Sequence, residues 1–140
     1  MYESQDFYRV CDKCNADFLF MRAPAPGVTM RMGDRYRIFF DFSQINSSRF
    51  FRSVSCHEIS HVGSGSLHQV DSPYESAERS EYRANRYTAE HFLTADDFRA
   101  AFASGCREIW ELADYFDLDE RIVKNALSYW TEHRGIDFNN

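Results

Sequence analysis

No run of apolar residues in this 140-residue chain approaches the length of a membrane-spanning helix. The opening residues, MYESQDFYRV, lack the basic start and apolar block of a secretory leader. A cytoplasmic protein is therefore expected, with its four cysteines kept reduced. Positive charge is also short. Lys and Arg number 16 against 22 Asp and Glu, a net charge of -6, which argues against a broad nucleic-acid surface. No internal repeat and no low-complexity stretch is present. Of only three prolines, two fall together in APAPG at residues 23–27, which must be a loop. What the chain does have is core material. Its residues are 44% hydrophobic and include 13 Phe, 8 Tyr and 2 Trp, which excludes a disordered chain and suits one compact domain.

The expected fold class is α+β. Residues 3–13 have helical spacing, with Phe7, Val10 and Cys14 roughly on one face. Three β-prone runs follow, at residues 17–21, 28–32 and 36–42, the last two flanking Gly33-Asp34 as a hairpin would. They predict a small antiparallel three-stranded sheet. Ser47 and Ser48 can cap a helix over residues 49–62, stopped by Gly63 and Gly65. A long helix is expected over 75–93. Thr94 and Asp97 form a capping-box pattern for another, and two shorter helices over 106–116 and 119–133 flank an acidic turn. A single domain would then divide into a helix and sheet (1–47), two central helices (48–93) and a helical C-terminal part (94–140).

The chemistry concentrates in His57-Glu58-Ile59-Ser60-His61, an H-E-x-x-H pattern. On a helix, positions i and i+4 share a face, so both imidazoles can reach one metal ion. Glu58 is placed to act as a general base toward water. A catalytic zinc takes three protein ligands, and the third should come from the next helix. Glu81 and Glu78 are both available there. Asn85 favours Glu81, because at i+4 it shares that face and can orient a ligand by hydrogen bonding. As bare residues of an amphipathic helix, His57 and His61 would need no partner; the acid-bearing helix that follows favours the metal.

Three blocks carry a family resemblance: YRIFFDFSQINSSRFFRSVSCHEISH, EYRANRYTAEHFLTADDF and ELADYFDLDERIVKNAL. With them the chain resembles the ImmA/IrrE zinc metallopeptidases of phages, mobile elements and stress-response operons over nearly its whole length. The resemblance implies a minimal zincin-like domain with Zn2+ on His57, His61 and Glu81. It implies Glu58 as the general base and Asn85 as a residue behind the ligands. It also implies a protein substrate, a helix-turn-helix repressor or antitoxin-like regulator. Arg83 stands where family members often carry Glu, and His68 follows a Gly/Ser-rich run where many place a histidine. For the oxyanion the chain offers Tyr74, Tyr82, Tyr87 and His68 as donors.

Other motifs have plainer readings. Cys11-Asp12-Lys13-Cys14 lacks a second cysteine pair, so free thiols are expected, and Cys56 beside His57 could sense oxidation. His91 and His133 have no partner in the sequence. The apolar spacing of Leu112, Ala113, Phe116, Leu118, Val123 and Leu127 resembles a helix-turn-helix, but Asp114, Asp117, Asp119 and Glu120 oppose DNA there. Two functions compete with a peptidase: a metal-binding module that controls a repressor by binding it, and a DNA-binding regulator.

Overall fold

The computed structural model describes residues 1–67 and 74–139. Helix α1 (Ser4–Cys14) opens on a capping box between Glu3 and Asp6 and stops at Asn15, in the left-handed region at φ 57°. It buries Phe7, Val10 and Cys11, while Cys14 is half-buried. Strands β1 (Ala16–Phe20), β2 (Gly27–Met32) and β3 (Arg35–Phe40) follow.

The sheet is mixed, not antiparallel throughout. Its order is β1-β3-β2, with β3 antiparallel to β2 but parallel to β1. The hairpin at Gly33-Asp34 is as expected. The strand reached through the APAPG loop is β2, and it lies at the edge, leaving the centre to β3. The reason is burial: β3 carries Ile38 and Phe40, the strand residues most deeply buried, and takes the position flanked by a strand on each edge. Asp41 secures the loop by accepting from the Ala23 N–H and from the Gln44 amide, which also bonds the Ala23 carbonyl.

Helix α2 (Ser48–Ser64) begins at Ser47, whose hydroxyl accepts from the Phe50 N–H at 3.0 Å. It ends at Gly65, with φ 68°. Gly63 is no stop signal. It lies within the last turn, and a Cβ there would come within 2.2 Å of the Tyr87 ring. That missing side chain lets α2 approach α3 (Tyr74–His91) closely, and the Ser60 and Thr88 hydroxyls share a 2.7 Å hydrogen bond across the seam.

The C-terminal part packs α4 (Ala95–Ala103), α5 (Ile109–Phe116) and α6 (Glu120–Ser128), followed by a π-helical turn at Tyr129–His133. The Thr94/Asp97 capping box is present, with bonds of 3.0 and 3.2 Å. Helix α5 starts later than expected because Glu108 and Glu111 form a capping box of their own. Leu112, Phe116, Leu118 and Val123 are all buried, so the helix-turn-helix-like spacing belongs to the core. The acidic turn is engaged by α2: Arg49 pairs with Asp114 and Asp117, and Arg52 with Asp117. The Asp119 N–H donates to Ser53 Oγ at 2.8 Å, which sets the start of α6 across from the middle of α2. The fold is thus α+β, six α-helices and a three-stranded sheet among the described residues, with no helix there long and apolar enough to cross a membrane.

Candidate metal centre

A helix turns about 100° per residue, so His57 and His61 project together while Glu58 points to a different side. Their Nε2 atoms lie 3.2 Å apart. Glu81 reaches over from α3, with Oε1 3.1 Å from His61 Nε2 and Oε2 3.2 Å from His57 Nε2. The three side chains close into a triangle, the carboxylate meeting each imidazole through a different oxygen. A tetrahedral zinc with bonds of about 2.0–2.1 Å needs donor–donor edges of about 3.3 Å, close to the 3.2 Å between the two Nε2 atoms. Two imidazoles and a carboxylate are also a suitable donor set, and His57, His61 and Glu81 can hold a metal ion. Glu78, the rival ligand, is exposed and is not part of the group.

The imidazole of His61 is fixed from behind. Its Nδ1 is hydrogen-bonded to the Ser66 carbonyl, which makes Nδ1 the protonated nitrogen and leaves the Nε2 lone pair for an ion. That carbonyl also accepts from Ser80 Oγ at 2.9 Å, and Ser66 Oγ donates back to the Ser80 carbonyl at 3.2 Å. Asn85 lies on the Glu81 face as expected and lines the cleft, but the bond that orients an imidazole comes from Ser66.

The electrostatics suit a cation. Hydrogen bonds from His57 and then His61 hold the Glu81 carboxyl well below the usual carboxylate range, against the opposing effect of burial. Burial works against a charged His61, yet its bonds to Glu81 and the Ser66 carbonyl outweigh it and raise its pKa.

Glu58 is buried against the sheet. Thr29 on β2 donates from Oγ1 to Glu58 Oε1 at 3.1 Å. Strand and helix touch closely here: a Cβ at Gly27 would lie 2.5 Å from Val54 and 2.8 Å from the Glu58 side chain. A cleft of about 590 Å³ opens beside the triangle, walled by Pro26 and Gly27, by Phe50 and Val54 of α2, and by α6. Its polar donors are Asn85, Asn125 and Arg121.

Of the expected oxyanion donors, Tyr87 packs against Gly63 and stacks on His91, and Tyr82 is exposed against His133. His68 and the Tyr74 side chain lie outside the described residues. Thr29, Ser66, Ser80 and Asn125 carry no local sequence signal, because each acts across elements far apart in the chain. Cys11 and Cys56 are buried free thiols, pushed up by burial to about 11 and about 12, which makes them poor nucleophiles and leaves Cys56 unsuited to sensing oxidation. Among protein-family models, curated proteins and solved structures, none matches this chain.

Proposed function

We propose that this protein is a zinc-dependent endopeptidase of zincin-like design that hydrolyses a peptide bond in a protein substrate. The observation that carries this reading is the cluster of His57, His61 and Glu81, in mutual contact at 3.1–3.2 Å, beside a buried Glu58 at the wall of an open cleft. Zinc held by the three residues supplies a Lewis acid that polarises a carbonyl and acidifies water. Glu58 takes the proton from the attacking water and delivers it to the leaving amine. Thr29 holds the Glu58 carboxylate in place, so little reorganisation is needed when the proton moves. Asn85, Asn125 and Arg121 provide the donors that position the substrate backbone along the cleft. The resemblance of the sequence to ImmA/IrrE metallopeptidases supports a helix-turn-helix repressor or antitoxin-like regulator as that substrate.

The test is Glu58→Gln, which keeps the shape of the side chain and removes its basicity. Zinc content should match wild type, while cleavage of a quenched-fluorescent peptide library should be lost. Retained cleavage would overturn the mechanism. Zinc binding by wild type with no cleavage of any library member would leave a metal-dependent binding module in its place.

A further inference from the structure

Helices α1 and α2 cover one face of the sheet, and strand alternation turns Leu19, Val28, Met30, Met32 and Phe39 to the other. Among the described residues no helix packs on that outer face. Leu19, Met30 and Met32 are 44%, 50% and 51% exposed, and Met21, just past β1, is 52% exposed. Three of the chain's four methionines thus stand together on one surface. A groove of about 730 Å³ runs along the β2 edge, lined by Val28, Met30 and Phe39 of this face together with Thr29, Gly65 and Leu67. Flexible, polarisable methionines are suited to a partner helix whose side chains they must adapt to.

The charges around this face select the occupant. Alternation turns Arg35 and Arg37 outward and Arg22 lies in the adjoining loop, against two aspartates in this region (Asp17, Asp34), in a chain whose net charge is -6. A second copy of this chain would bring the same arginines against themselves. A lipid surface would have to bury Asp17, whose carboxylate is paired with Arg37 on this face at 2.8 and 2.9 Å. Carboxylates on a protein segment would instead meet Arg22 beside the groove and Arg35 at the start of β3, where guanidinium groups bind them in forked pairs. We propose that the outer face of the sheet docks an acidic amphipathic helix of a partner protein, apolar side down on the methionines. Strand β2 carries Met30 outward and Thr29 inward onto Glu58, so the docked helix would sit back to back with the metal centre.

The experiment uses the full chain and a displayed random library of peptides of about 16 residues, long enough as a helix to span about 24 Å. Enriched peptides should pair a helical stripe of Leu, Ile or Met with Asp and Glu. Their binding should weaken with salt and fall at least about tenfold in Met30→Asp and in the double variant Arg22→Glu/Arg35→Glu. Both variants alter exposed side chains, and unchanged thermal melting confirms their folding. Glu58→Gln and metal-free protein should bind the peptides as wild type does. No enrichment, enrichment without acidic residues, or binding indifferent to these variants would overturn the proposal. So would dimerisation in sedimentation, or binding to phosphatidylserine vesicles, if either were abolished by the same variants.

Discussion

Thr29 Oγ1 donates a 3.1 Å hydrogen bond to Glu58 Oε1, tying the edge strand of the sheet to the acid of the HEISH helix. The two residues are 29 positions apart, and Gly27 permits the contact by having no side chain to hold strand and helix apart. A carboxylate that accepts one fixed bond keeps its second oxygen free and aimed, as a general base requires.

Replacing Thr29 by valine keeps the shape and removes the donor. Loss of a hydrogen bond to a charged group costs about 1.5–3 kcal/mol, so kcat should fall about tenfold to a hundredfold. Zinc content and KM should stay near wild type, and Thr29→Ser should restore turnover. Equal activity of Thr29→Val and wild type on the peptide library would show that Glu58 needs no such support.

The two candidate third ligands separate cleanly by metal analysis. Glu81→Ala removes one corner of the triangle, and zinc affinity should drop by more than about a hundredfold. Glu78→Ala, on an exposed side chain outside the group, should leave it unchanged. The reverse result in chelator competition would reassign the ligand.

Gly63→Ala should destabilise the protein by about 1–3 kcal/mol, the usual cost of overpacking a filled contact. The new methyl group meets Tyr87, whose ring is held by stacking on His91 at 4.0 Å and cannot simply swing away. Truncating the ring in Gly63→Ala/Tyr87→Ser should remove the clash, so the double variant should show strong favourable coupling in denaturant melts. Additive losses would mean that α2 and α3 tolerate more separation than this contact implies.

Asp41 supplies the pH dependence. The Ser43 hydroxyl, then the Gln44 amide and the Ala23 N–H, hold its carboxyl well below the usual carboxylate range. A pKa depressed by folding contributes stability that is complete above the unfolded value of about 3.9 and is lost as pH falls through the folded value. Asp41→Asn should therefore melt at a lower temperature than wild type at pH 7, with the gap closing as pH drops below about 4. A gap that stays constant from pH 7 down to pH 2 would rule out this role for Asp41.

The elements were largely legible because their signals are local. The Ser47 cap, the Thr94/Asp97 box, the Gly33-Asp34 hairpin and the i, i+4 spacing of His57 and His61 each depend on residues a few positions apart. Gly63 was misleading because a glycine reads alike whether it ends a helix or admits a neighbour, and only Tyr87 distinguishes the two. The Asn85 spacing pointed to Glu81, but the bond that orients His61 comes from the Ser66 carbonyl, and a backbone atom leaves no mark on composition or pattern.

By itself, then, the sequence determined an α+β chain, the helix that displays two histidines on one face, and an acid beside them. Those follow from periodicity and capping within single elements. Only the tertiary structure decided that β3 takes the centre of a mixed sheet, that Glu81 and not Glu78 closes the triangle, and that Thr29 grips Glu58. Each of these depends on which faces of distant elements pack together, and that is set by burial across the whole core rather than by any neighbouring residue.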